Sequence, residues 1–179
     1  LDQNDPYVLK ASYYQGMAAL ALYNDDAIFL LEQFNRNYPE NLYKNQINAD
    51  IGHYFFQRED YESAVPYYEK VNGSELDSNN RETFFFKKGY SYFQQGLDAK
   101  ALAAFKEVKD SKGQYGNISL YYYAHLNYKL GNLSDSKRDF HRLKHQAEFT
   151  TIAPYYIVQI NHKQGLYDSV IAYAPSVLD

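Results

Sequence analysis

The stretch GYSYFQQGLDAKALAAF, from Gly89 to Phe105, sets Gly, Tyr, Gly, Ala and Phe at offsets of 0, 3, 7, 12 and 16. Offsets of 3, 4 and 7 keep side chains on one face of an α-helix. In FFFKKGYSYFQQ, Phe85, Gly89, Tyr92 and Phe93 therefore share a face. Gly96 is expected to end that helix, because glycine enters the left-handed conformation past a helix C-terminus without steric cost. Asp98 follows as the expected N-cap or first-turn acid of a second helix, AKALAAFKEVK. There Ala101, Leu102, Phe105 and Val108 continue the same rhythm. Two helices joined by so short a turn run antiparallel and pack together. Gly89 and Ala101, lacking bulk, are the residues expected to allow close approach. The stretch encodes a helical hairpin.

Looser copies lie on both sides. IGHYFFQREDYESAVPYYEKV places Gly52, Phe55, Glu59, Ala64, Tyr68 and Val71 at matching positions. YAHLNYKLGNLSDSKRDFHRL places Ala124, Asn127, Gly131, Ser136, Phe140 and Leu143 there. VQINHKQGLYDSVIAYA carries a fainter copy with Val158, Asn161, Gly165, Val170 and Ala174. At the front, AIFLLEQFNRNYP supplies Ala27, Leu31, Phe34 and Pro39. Gly96, Gly131 and Gly165 stand 35 and 34 residues apart, and Gly52 and Gly89 stand 37 apart, the two extra residues falling in the connector NGSELDSNN. A sustained period of this length is the signature of a helical solenoid. The expected units are residues 8–44, 45–81, 82–116, 117–150 and 151–179.

Composition narrows the chemistry. The 179 residues carry a formal net charge of −4 with Lys and Arg scattered, so no basic stripe argues for nucleic acid. Cysteine is absent, which removes disulfides and thiolate metal sites. No apolar run has the length of a membrane span, so direct membrane insertion is not expected. The chain holds 21 Tyr and 11 Phe but no Trp, at a mean hydropathy of −0.63. Tyrosine joins apolar area to a hydroxyl that seeks a partner, so such a chain can build half-wet surfaces as well as a core.

The repeat resembles the tetratricopeptide repeat (TPR), whose pattern W-x2-L-G-x2-Y, A-x3-F, P has a period of about 34. The third unit offers Phe85, Gly89, Tyr92, Ala101 and Phe105, with Lys88 at the Leu position. The second offers Ile51, Gly52, Phe55, Ala64 and Tyr68, and the first offers Ala27 and Pro39, its front helix fitting one residue out of step at Gly16. The resemblance implies an all-α fold, a right-handed α-solenoid of about five hairpins and about ten antiparallel helices. It implies a non-catalytic scaffold without a cofactor, binding a protein or peptide in a concave groove lined by the front helices. Carried onto this register, the groove positions include His53, Phe56, Phe86, Tyr90, Phe93, Tyr121, His125, Tyr128, Tyr155 and His162. The alternative for each ring is packing between adjacent front helices. The carboxylate-clamp pattern of some TPR domains is not matched, since Ala49, Phe86, Tyr121 and Tyr155 hold one of its positions. The segments AVPYYEKV and FNRNYPEN resemble those of envelope-associated bacterial TPR proteins, implying a periplasmic or cell-envelope location.

Other chemistry has little support. His141 and His145 stand one helical turn apart, a spacing that can seat a metal. Arg138, Arg142 and Lys144 crowd them with positive charge, so a solvated helix face is the expectation. The acidic stretches EDYE and DSNNRE sit where helices begin and suit the helix dipole. The glycines occur singly, without a phosphate-binding loop. Two other functional classes share the composition: a module whose Tyr faces hold a glycan for a neighbouring domain, and a spacer within a larger envelope protein. Pro66 and Pro175 are expected to kink or end their helices, and Pro154 fits a first turn. The last helix, with Val170, Ile171, Val177 and Leu178, lacks a polar cap. The expectation is that the chain is a fragment of a longer one, or that this face packs end to end on something.

Overall fold

Five residues with positive φ punctuate the chain: Tyr23 (57°), Glu59 (59°), Gly96 (69°), Gly131 (83°) and Gly165 (71°). The structure, a computed structural model, describes residues 6–173, the side chain of Asn79 excepted. Each of the five sits just past a helix and closes the same pair of backbone hydrogen bonds. At Gly96 the N–H donates to the Phe93 carbonyl at 3.0 Å, and the Leu97 N–H reaches the Tyr92 carbonyl at 2.9 Å. The same pair recurs at Gly131 and Asn132, which donate to Tyr128 and Asn127 at 3.2 and 2.8 Å, and at Gly165 and Leu166, which donate to His162 and Asn161 at 3.0 and 2.9 Å. This is the Schellman arrangement, which satisfies the last carbonyls of a helix. Tyr23 and Glu59 make it too: Tyr23 and Asn24 donate to Leu20 and Ala19, and Glu59 and Asp60 to Phe56 and Phe55.

The turns join ten α-helices among the described residues, with no strand. They are α1 (Pro6–Ala21), α2 (Ala27–Asn37), α3 (Lys44–Gln57), α4 (Tyr61–Glu69), α5 (Ser78–Gln94), α6 (Asp98–Lys106), α7 (Gly116–Lys129), α8 (Leu133–Leu143), α9 (Ile152–Lys163) and α10 (Tyr167–Tyr173). Gly16 precedes its left-handed residue by seven, as Gly52 and Gly89 precede theirs; the one-residue discrepancy lies in the following turn, where α2 starts directly at Ala27. Asp98 is the first residue of α6 with Leu97 at the cap position, so it serves as a first-turn acid and not as the N-cap; Lys129 holds it at 2.6 Å. Pro66 lies inside α4, which runs on to Glu69, and Asp60 caps that helix by accepting from the Ser63 N–H at 3.0 Å. Pro154 is the third residue of α9. Ala174, Pro175, Val177 and Leu178 lie outside the described residues.

A left-handed Glu59 carries a cost that glycine avoids, offset in part by the greater freedom of glycine in the unfolded chain. Glu59→Gly is therefore expected to stabilise the protein by about 0.5–1 kcal/mol. A higher melting temperature by circular dichroism checks it; a lower one would show that the Glu59 side chain has a role beyond the turn.

The chain forms two compact units, residues 1–91 and 92–179. In the first, Leu31, Phe34, Ile47 and Ile51 form one core cluster, and Ala49, Ala64, Tyr68, Val71 and Phe84 form another. Small residues allow the helices of a pair to touch. A Cβ on Gly16 would lie 2.6 Å from Leu31 Cδ2, and one on Gly52 would lie 2.5 Å from the Tyr68 ring. In the second unit Phe140, Leu143, Ile157 and Ile160 are fully buried with Ala124, Ala153, Leu120 and Phe149. The Ser136 hydroxyl donates to the Ala124 carbonyl at 2.8 Å and ties α8 to α7. Buried Asp139 is held by Arg138 at 3.2 Å and Arg142 at 3.5 Å, both on its own helix. On α10, Tyr167 and Ile171 are exposed.

Candidate functional site

The first helices of successive pairs carry the residues of interest. Within the first unit, α1, α3 and α5 line an open cleft of about 340 Å³ formed by Met17, Leu20, Tyr23, Asp50, His53, Tyr54 and Lys87, with Ala21 and Gln57. Asp50 and Lys87 are one repeat apart, 37 residues, and so occupy equivalent positions on α3 and α5. Both are half-buried. Gln46 donates to Asp50 Oδ1 at 3.0 Å. Burial pushes the Asp50 carboxyl up from the ordinary carboxylate range, against the opposing influence of Gln46 and Lys87. Burial pushes the Lys87 ammonium down, with Asp50 opposing.

His53 is neutral here. Burial first, and the Lys87 charge second, push its pKa down to about 3. Its Nδ1 stands 4.0 Å from Asp50 Oδ1, too far for a hydrogen bond, and its Nε2 is buried without a hydrogen-bond partner. The ring leans on Tyr68 at 5.7 Å. At the rim, the Arg58 guanidinium lies 4.5 Å above the Tyr54 ring and 5.7 Å from Tyr23, whose hydroxyl donates to Gln57 at 3.1 Å.

Beside the cleft, Phe56 meets Tyr61 and Tyr90 edge-on at 5.6 and 5.8 Å, and Phe86 lies 6.1 Å from Tyr90. Lys87 Nζ sits 5.5 Å over the Phe56 ring and so joins this cluster to the cleft. Four expected residues of the first unit are thus accounted for: Phe56, Phe86 and Tyr90 come together, and His53 forms the neighbouring wall.

Within the second unit the organising side chain is Tyr156, which the sequence reading did not single out. Its ring is stacked on buried Phe140 at 4.4 Å and 2°. Tyr121, His125, Tyr128 and Tyr155 surround it at 6.4, 5.6, 5.3 and 5.8 Å. Its hydroxyl lies 2.8 Å from His125 Nδ1. Burial, then the neighbouring Tyr121, push the Tyr156 hydroxyl well above its ordinary range. Burial and Lys129 push His125 down against Asp98. The phenol therefore keeps its proton and shares a hydrogen bond with a neutral imidazole. Phe93 meets His125 at 5.9 Å and Tyr122 at 5.0 Å, and Tyr122 is stacked on Phe105 at 5.1 Å. Tyr121 also stacks on buried Phe149 at 5.6 Å and is packed against the core. Tyr155 is 48% exposed. Lys163 Nζ covers the Tyr128 ring at 4.0 Å. His162 stands apart at the end of α9, where it meets Tyr167 at 6.0 Å. Five expected residues, Phe93, Tyr121, His125, Tyr128 and Tyr155, form one connected surface through Tyr156.

His141 is half-buried with Tyr173 at 6.5 Å, and His145 is exposed. Among the described residues no three His, Cys, Asp or Glu side chains converge as a metal site, and no helix is long and apolar enough to cross a membrane.

Residues 84–111 match the tetratricopeptide repeat family. No curated protein matches the chain. The TPR-like repeats of a kinesin light chain from Podosopora anserina superpose with a TM-score of 0.58 at 12% identity, over 97% of this chain and 95% of that one. A Q17M form of the same protein gives 0.57 at 12% identity, over 96% and 93%. PilF of Pseudomonas aeruginosa gives 0.56 at 13% identity, over 94% of this chain and 74% of that one. At such identities the likeness is one of fold, the helical solenoid of TPR proteins. Repeats of this kind generally mediate protein–protein contact and are typically non-catalytic.

Proposed function

For a chain that carries a tetratricopeptide repeat and has the solenoid fold of such proteins, we propose the role of a non-catalytic scaffold that holds a peptide segment of a protein partner. The segment lies against the aromatic faces of first helices within a unit. The observation that carries this reading is the gathering of His125, Tyr128 and Tyr155 around Tyr156, with Phe93 against His125. These rings come from α5, α7 and α9, successive first helices, and they join apolar area to polar edges. Aromatic groups of this kind supply large contact area at low entropic cost and dominate binding hot spots. The neutral imidazoles of His53 and His125 add no charge of their own to these faces.

The test is a cross-linked pull-down from the source cell's extract with the wild-type chain and a Tyr128→Ala/Tyr155→Ala variant. Tyr121 is left intact because it packs on Phe149. Helical content is expected to be unchanged, and affinity for the recovered partner to fall at least about thirtyfold. Equal recovery by both chains would move the weight to the spacer reading or to an interface on the second helices.

A further inference from the structure

The cleft of the first unit has a polarity that selects its occupant. Asp50 and Lys87 line the same 340 Å³ space from equivalent positions on α3 and α5. Each feels the charge of the other, yet no ion pair joins them. Gln46 occupies Asp50 Oδ1; Oδ2 takes no hydrogen bond from a described residue. The ammonium of Lys87 sits 5.5 Å over the Phe56 ring beside the cleft. His53, neutral, adds a wall without adding charge. A half-buried negative group and a half-buried positive group thus line a common space without an ion pair across it. A cationic occupant would meet Lys87, and an anionic one would meet Asp50, each in surroundings where like charge is costly. An apolar occupant would leave both charges desolvated and unpaired. A neutral dipole with a donor at one end and an acceptor at the other satisfies both: its N–H donates to Asp50, which can only accept, and its carbonyl accepts from Lys87, which can only donate.

Resting on the peptide reading above, we propose that this cleft is a specificity pocket of the first unit and takes the carboxamide side chain of an Asn or Gln in a peptide segment bound there. The methylenes of that side chain lie on Met17, Leu20 and Tyr54, and its neighbours in the segment reach the Phe56, Phe86 and Tyr90 rings.

The test selects phage-displayed random dodecapeptides on the full chain, then compares synthetic forms of a selected binder by fluorescence anisotropy. The binders are expected to share an Asn or Gln, and its replacement by Glu, Lys or Leu to weaken binding about tenfold or more. Removing one charge of the cleft should then invert the preference. Lys87→Met is expected to favour the Lys form of the peptide, and Asp50→Asn the Glu form. The preference is a ratio within one variant, so a general loss of folding, checked by circular dichroism, does not imitate it. Binders without a shared carboxamide, or ratios that neither variant moves, overturn the pocket and leave the peptide surface standing. Failure to enrich any peptide overturns both. So does a cleft that is engaged by chitohexaose and not by peptide, read from the His53 imidazole shifts.

Discussion

Phe140→Ala is expected to lower the unfolding free energy by about 4 kcal/mol, the cost of a large buried ring and the cavity it leaves. Phe140 is fully buried in the core of the second unit and lies face to face with Tyr156. Its removal takes away the platform on which Tyr156 rests. Through Tyr156 it loosens Tyr128, Tyr155 and the hydrogen bond to His125. The loss should be visible as an earlier unfolding transition in urea and as a weaker near-ultraviolet tyrosine signal before unfolding begins. Phe140→Leu should recover much of the stability, because it refills part of the volume, but not the tyrosine signal, because no flat surface remains. Tyr155→Ala is the control: at 48% exposure it should change stability by about 0.5 kcal/mol or less. A near-native midpoint for Phe140→Ala would remove Tyr156 from the centre of the surface.

Acid should destabilise the first unit through one imidazole. In the folded chain His53 stays neutral down to about pH 3, whereas an unfolded histidine takes up a proton near pH 6.5. Below that value the unfolded state binds the additional proton, so the stability present in full above it is lost as the pH falls toward the folded pKa. By about pH 4.5 the loss through His53 alone is on the order of 2–3 kcal/mol. His125 and His141, also held down by burial, act in the same direction. Asp50 acts in the opposite direction: its folded carboxyl is raised, so folding gains as the pH drops through it. Urea midpoints measured at about pH 7 and about pH 4.5 should therefore differ strongly in the wild type and much less in His53→Gln. Parallel pH profiles for the two proteins would show that the imidazole is protonated in the folded chain.

The repeat was legible because its signals are backbone signals. Gly96, Gly131 and Gly165 announce left-handed turns by residue type, and the 3–4 rhythm on either side requires only apolar counting. Tyr23 and Glu59 fill the same backbone role without glycine, so the first two turns had to be inferred from Gly16, Gly52 and the alanines. The surface was harder to place, because aromatic doublets defeat periodicity. Tyr155 and Tyr156 are adjacent, and only packing against Phe140 decides that Tyr156 turns inward while Tyr155 stays half in water. Tyr121 and Tyr122 divide similarly, one toward Phe149 and the other toward Phe105. Asp50 and Lys87 carry no motif at all. Their presence on one cleft depends on two helices of different hairpins lining it, which spacing suggests only once the repeat is known.

The five left-handed turns are closed by the same pair of main-chain hydrogen bonds, so the side chain at that position contributes nothing to the pair. Any side chain it carries is surplus to the hinge. Glycine leaves the position bare in three hairpins; Tyr23 uses it to place a ring and a hydroxyl at the mouth of the cleft. The corner of each hairpin is thus a mounting point whose occupant can be exchanged without rewiring the repeat, a means of varying the side chain beside the helix ends while the helices themselves stay the same.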